Sequence, residues 1–260
     1  MILPENTTCE RLYYWIGSER SIHPAVMNWL LSGCPGPVAH RDSILRPRQP
    51  ENRMLISRSE LPHIMEPNPL EGAGTISLAI ERGKLGNWAS AIGTNEGRAT
   101  VGRVDKVLVL RDPFNQFSSF IEFQPEHKNL ARECDRMLRQ WIRQHRFAVK
   151  NGWFIIDANR WVMEPEYRDE LAEYFESDPN PETLLQVGRN GKGSSWEPGL
   201  QLPKSEDLLE RYRGHYDCPL WQRMVKTPYV RKVAARRWPD LTEKVFDQMP
   251  EPRQETLLVG

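Results

Sequence analysis

The sequence predicts an α/β fold, a central parallel β-sheet flanked by helices, in one domain covering residues 1–260. Three observations lead there. Short apolar or aromatic runs recur at 12–16, 107–110 and 153–156, the pattern of strands covered on both faces. Each is followed by a helical pattern with a proline near its start, at Pro24, Pro113 and Pro165. No linker-like stretch divides the 260 residues, which are enough to bury a large core.

The first strand is Leu12-Tyr13-Tyr14-Trp15-Ile16, ending at Gly17. A turn over 18–23 leads to a helix opened by Pro24, with Val26, Trp29, Leu30 and Gly33 as its apolar stripe. Cys34-Pro35-Gly36-Pro37 stops it, and residues 35–52 read as loop. Met54-Leu55-Ile56-Ser57 reads as a second strand, followed by Arg58-Ser59-Glu60-Leu61-Pro62-His63. A helix is expected near 75–83, then Gly-, Asn- and Thr-rich connections as far as 103.

Val107 to Leu110 form the next strand, which stops at Arg111 and Asp112-Pro113. In the helix that follows, Phe114, Phe117 and Ile121 share one face, while Asn115 and Ser119 lie i, i+4 on another. A long amphipathic helix is predicted over 127–149, burying Leu130, Cys134, Met137, Leu138, Trp141, His145 and Ala148. Its opposite face carries Lys128, Arg132, Arg136, Arg139, Arg143, Arg146 and Lys150 and reads as solvated. A strand at 153–157 and a helix at 164–176 come next. Beyond 177 the chain is rich in Pro and Gly, with helices expected near 205–213 and 218–237.

Composition narrows the function. Lys+Arg and Asp+Glu are both 35, so a net charge of zero argues against a dedicated nucleic-acid partner. No apolar run approaches the roughly 20 residues of a membrane span, and the amino terminus lacks the pattern of a signal peptide. Cys9, Cys34, Cys134 and Cys218 have no metal-ligand spacing, so no metal is expected and reduced thiols point to a cytoplasmic setting. The expected partner is a small molecule, with the oligomeric state open.

Three stretches carry chemistry. Arg111 at a strand's end, with the Ser119 hydroxyl eight residues on, suits a dianionic phosphate: a guanidinium fork plus a hydroxyl donor. The turn between the first strand and its helix gathers free backbone N–H groups and the positive end of the helix dipole. The signature Gly-x-x-x-x-Gly-Lys-Ser/Thr is absent, so this turn is not a nucleoside-triphosphatase loop. Gly188-Arg189-Asn190-Gly191-Lys192-Gly193-Ser194-Ser195 interleaves glycines with cations and hydroxyls, as an anion-gripping loop does.

In this order the stretches resemble sulfotransferases that use 3′-phosphoadenosine 5′-phosphosulfate (PAPS) and release 3′-phosphoadenosine 5′-phosphate (PAP). The resemblance implies a sulfotransferase-like sheet, with Arg111 and Ser119 holding the 3′-phosphate and Arg189, Lys192, Gly193 and Ser194 closing over the nucleotide. Glu19-Arg20-Ser21-Ile22-His23-Pro24 stands where the family has Pro-Lys/Arg-Ser-Gly-Thr-Thr. Arg20 and Ser21 match, Ile22 replaces the glycine, and His23 and Pro24 replace the threonines. Residues 20–24 would hold the 5′-phosphosulfate, with Arg20 neutralising the leaving phosphate and Ser21 assisting. Because isoleucine reaches φ > 0 only at a cost, the turn is expected to differ in geometry from the family's.

Arg58-Ser59-Glu60-Leu61-Pro62 is similar to the family's Lys-Thr-His-Leu-Pro, which implies Glu60 as the general base, with His63 the alternative. The implied acceptor is a hydroxyl, an amine or a carbamate nitrogen on a small molecule or sugar. Two rivals stand beside this reading: a non-catalytic nucleotide-binding protein on the same fold, and a small-molecule phosphotransferase.

Glu60→Gln should keep nucleotide affinity and lower turnover by about two to four orders of magnitude, the range for losing a positioned base. The wild-type rate should rise with pH through the carboxylate's pKa, and that limb should vanish in the variant. Normal turnover in Glu60→Gln together with loss in His63→Ala would assign the base to His63.

Overall fold

A computed structural model describes residues 3, 5–41, 74–80, 85–123, 127–185 and 208–250. Its core element is β1 (Thr7–Gly17), followed by α1 (His23–Ser32), β2 (Val38–Arg41), β3 (Thr75–Ile80), α2 (Leu85–Arg98) and β4 (Ala99–Leu110). Next come α3 (Pro113–Phe123), α4 (Leu130–Lys150), β5 (Phe154–Asp157), α5 (Ala158–Met163) and α6 (Pro165–Tyr174). After the 3₁₀ turns Pro181–Leu185 and Arg211–His215 the described chain ends in α7 (Pro219–Val225), α8 (Pro228–Arg237) and α9 (Pro239–Gln248). The five strands pair in parallel in the order β2-β3-β1-β4-β5. The chain therefore has the expected α/β architecture, a central parallel sheet flanked by helices.

Alternation along β1 divides the core. Tyr13 and Trp15 face one side, where they pack with residues of α1, α5 and α6. Leu12, Tyr14 and Ile16 face the other, against α3, α4 and the three carboxyl-terminal helices. A strand with large apolar side chains on both faces is stable only as a covered, interior strand. That is where β1 lies.

Several elements differ from the sequence reading. The helix expected near 75–83 is the strand β3: Ile76 and Leu78 point to one core and Ala79 to the other, a period of two that the β-branched Thr75 and Ile76 favour. The helix comes later, at α2, where Gly- and Asn-rich connections were expected. Asn95 of α2 is fully buried and its Oδ1 accepts from the Leu3 N–H at 2.8 Å, so tertiary contacts outweigh weak propensity. The loop expected over 35–52 contains β2. Strand β4 begins at Ala99, eight residues before the expected run, because its first half alternates exposed and half-buried positions. The helix expected over 218–237 is broken at Pro228 into α7 and α8, and α9 was not foreseen. The strand expected at 54–57 lies outside the described residues.

On α4, Cys134, Met137, Trp141, His145 and Ala148 are buried as expected, and Gln144 joins them. Arg132, Arg139, Arg143, Arg146 and Lys150 are exposed on the opposite face. Arg136 instead pairs with Glu133 at 2.6 Å and with Glu19 at 3.0 Å. Among the described residues no helix is long and apolar enough to cross a membrane.

His145 stacks on Trp141 with ring centroids 5.9 Å apart, and its Nδ1 lies 2.9 Å from the Tyr229 hydroxyl. Burial, then Arg237 and Arg236, push its pKa from an ordinary 6.5 down to about 4. The unfolded chain therefore takes up this proton first, so stability is complete above pH 6.5 and declines as pH falls towards 4. Denaturation midpoints across that window should show the decline, and His145→Asn should flatten it.

Candidate anion-binding site

The site is placed by strand register. Gly17 pairs with Val109, so β1 and β4 finish side by side and their following residues, the turn 18–22 and Arg111, emerge together. The sheet order sends the chain from β1 to the β3/β2 side and later back to β4 on the other, which opens a crevice at the strands' carboxyl ends.

The turn itself is unusual. Arg20 and Ile22 both take left-handed backbone conformations, φ 65° and 67°. Isoleucine reaches φ > 0 only at a cost of about 1–2 kcal/mol, and Ile22 nonetheless adopts that conformation here. Its surroundings impose it. The Ser21 N–H donates to the Ser18 carbonyl at 3.2 Å, and the Ala25 N–H donates to the Ile22 carbonyl at 3.0 Å, opening α1 beside Pro24. Gln116 Nε2 donates to the Glu19 carbonyl at 2.8 Å, and Arg111 Nη1 to the Arg20 carbonyl at 3.1 Å. From α4, Gln144 Nε2 donates to the Gly17 carbonyl at 3.2 Å while its Oε1 accepts from the Ser18 hydroxyl. Strain of this kind persists only where independent ties hold it, and turns of this kind can curve backbone N–H groups around an anion. Glycine is required at 17 for a separate reason: a Cβ there would come within 2.3 Å of the His23 ring.

Across the crevice Asp112 caps α3, its Oδ1 accepting from the Asn115 N–H at 2.8 Å, with Pro113 at the first helical position. The cap aims α3 so that Ser119 meets Arg20, whose Nε donates to the Ser119 hydroxyl at 3.1 Å. The Arg20 guanidinium also lies 4.5 Å from the centre of the Phe123 ring. Arg111, 3% exposed, donates through Nη2 to the Leu208 carbonyl. A third arginine, Arg211, donates to Glu122 at 2.8 Å.

These guanidiniums are rich in donors and short of acceptors. Arg20 Nη1, Arg111 Nε and Arg211 Nε are buried without a hydrogen-bond partner among the described residues. Burial, then Arg211 and Arg111, push Arg20 down to about 10, and burial and Arg211 do the same to Arg111. Asp112 and Glu122 act the other way but do not offset the burial, and positive charge held out of water favours binding an anion.

The structure thus brings together Arg20, Arg111 and Ser119, with Arg20 bridging: its side chain reaches Ser119 and its carbonyl accepts from Arg111. Ser21 and His23 are buried in the turn, the Ser21 hydroxyl 3.3 Å from His23 Nδ1, so their side chains brace it. Glu60, His63, Arg189, Lys192, Gly193 and Ser194 lie outside the described residues. Sequence reasoning missed Gln144, Glu122 and Arg211. Gln144 had a signal, being a polar residue within the apolar stripe of α4. Arg211, which arrives from far along the chain, had none.

No family model matches the chain, and no curated protein matches it. Among solved structures it is similar to a sulfotransferase domain of the olefin synthase of Synechococcus PCC 7002, with 12% identity over 81% of this chain and 96% of that one, TM-score 0.45. It is also similar to a sulfotransferase domain from the curacin biosynthetic pathway, with 10% identity over 91% of this chain and 98% of that one, TM-score 0.47. Both likenesses are distant, and what the site can do follows from its own geometry.

Gln144→Leu keeps the volume but strips the Gly17 carbonyl and the Ser18 hydroxyl of their buried partner. Chemical denaturation should show a loss of about 1–3 kcal/mol, the cost of buried polar groups left unpaired.

Proposed function

We propose that this chain is a PAPS-dependent sulfotransferase acting on a hydroxyl, amine or carbamate nitrogen of a small-molecule or sugar acceptor. One observation carries the reading: Arg20 and Arg111, each with a buried unpartnered guanidinium nitrogen, sit with the Ser119 hydroxyl at the carboxyl ends of β1 and β4. Unsatisfied guanidinium donors, a strained turn and a helix amino terminus in one crevice fit a ligand with more than one phosphate-like group.

In this reading Arg111 and Ser119 hold the 3′-phosphate. Arg20 and the backbone of 20–24 hold the 5′ end and neutralise charge on the departing phosphate, while Arg189, Lys192, Gly193 and Ser194 close over the nucleotide. Glu60 or His63 accepts the acceptor's proton. PAPS supplies the sulfuryl group already activated as a mixed anhydride. The protein's contribution is in-line positioning and charge complementarity.

Thermal shift with PAP against ATP, followed by turnover with PAPS, tests the proposal. Stabilisation by PAP alone supports it; binding without turnover would leave a nucleotide-binding protein that is not an enzyme. Arg111→Ala should weaken PAP by about 2 kcal/mol or more, the worth of a hydrogen bond to a charged group. Adenosine 5′-phosphosulfate, which lacks the 3′-phosphate, should be affected far less, and equal losses for both would remove Arg111 from that site.

A further inference from the structure

Arg211 belongs to no motif, yet its charge acts on both Arg20 and Arg111. The chain just before it is tied down to the site. The Leu208 carbonyl accepts from Arg111 Nη2, and the Leu209 carbonyl accepts from Asn115 Nδ2 at 2.8 Å. The Arg211 side chain is only 15% exposed, so it is presented from a fixed position.

Among the described residues, Asp112 and Glu122 are the carboxylates whose charge acts on Arg20 or Arg111. Asp112 is committed to α3, accepting from the Asn115 N–H and side-chain amide. Glu122, one turn beyond Ser119 on the same helix, accepts from Arg211 Nη1 at 2.8 Å, and its other oxygen lies 4.0 Å from His215 Nδ1. Glu122 is 40% exposed, so it can turn into water and be rehydrated at little cost, unlike a buried carboxylate.

We infer that Arg211 is a third cation of the anion site and that Glu122 is its placeholder, a resident carboxylate that a phosphate or diphosphate group displaces. A phosphate dianion carries more charge than one carboxylate, and among the described residues Arg20, Arg111 and Arg211 each keep a buried guanidinium nitrogen without a hydrogen-bond partner. The inference rests on the proposed function only for the identity of the natural ligand.

Calorimetric titration of the full chain with inorganic pyrophosphate, and separately with PAP, tests it on Glu122→Gln and Arg211→Ala. Removing the competing charge in Glu122→Gln should tighten pyrophosphate about fivefold, the scale of one partly exposed ion pair. Arg211→Ala should weaken it about tenfold or more, the scale of a charge-assisted hydrogen bond. The double variant should lose most of the gain of Glu122→Gln, because Glu122 is hydrogen-bonded to Arg211 and reaches Arg20 and Arg111 only through space. Thermal melts give a second readout: Glu122→Gln should melt lower without ligand and gain more on adding pyrophosphate. Unchanged or weaker pyrophosphate binding in Glu122→Gln would make Glu122 an anchor that positions Arg211, and the placeholder would be overturned. Unchanged binding in Arg211→Ala would overturn the third cation. If both variants respond to pyrophosphate as expected but PAP binds no better than pyrophosphate, the sulfotransferase reading fails while this inference stands.

Discussion

The parallel pairing of β1 with β4 is the constraint on which the rest depends. It runs from Thr7 beside Ala99 to Gly17 beside Val109, and a shift of one residue would turn every side chain of β1 to the opposite core. Because the two strands end level, a turn from one and an arginine from the other meet at the same height. The contact of Arg111 with the Arg20 carbonyl is then a consequence of sheet register rather than of any local motif. The strand order adds the crevice, and α4 closes it from one side through Gln144 and Trp141.

Charge balance at this point runs against the usual rule that buried cations are matched. Arg20 and Arg111 are satisfied in part by backbone carbonyls and a hydroxyl, which accept hydrogen bonds but bring no formal charge. Elsewhere in the same sheet two arginines are matched by carboxylates: Arg11 and Arg103 share Asp105 and Glu176 in the half away from the site. The contrast lies within one protein and one sheet, so it reflects placement and not a general shortage of acidic residues.

Much of this was legible in the sequence where periodicity or punctuation was strong. The strands at β1, β4 and β5 and the helices opened by Pro24, Pro113 and Pro165 announced themselves through apolar runs followed by proline. The link between Arg111 and Ser119 was read as a pair, whereas the structure inserts Arg20 between them, which spacing along one chain segment does not reveal. β3 was read as a helix because six residues with three branched aliphatic side chains fit either period over so short a span. The left-handed conformation of Ile22 was not legible, because the residue's own preference opposes it and the turn is held by Gln116, Gln144 and Arg111. Those ties come from three separate elements, and no local window contains them.

Trp141 gives the site an optical consequence. Its indole N–H points to the Arg111 carbonyl at 3.4 Å, and its ring is stacked on His145, which titrates only in acid. The ring is fully shielded from water. Among nine tryptophans this one is hydrogen-bonded to the backbone of the crevice and lies against a group whose protonation quenches indole emission. A movement of Arg111 and the charging of His145 should therefore alter the Trp141 contribution to intrinsic fluorescence, without a label.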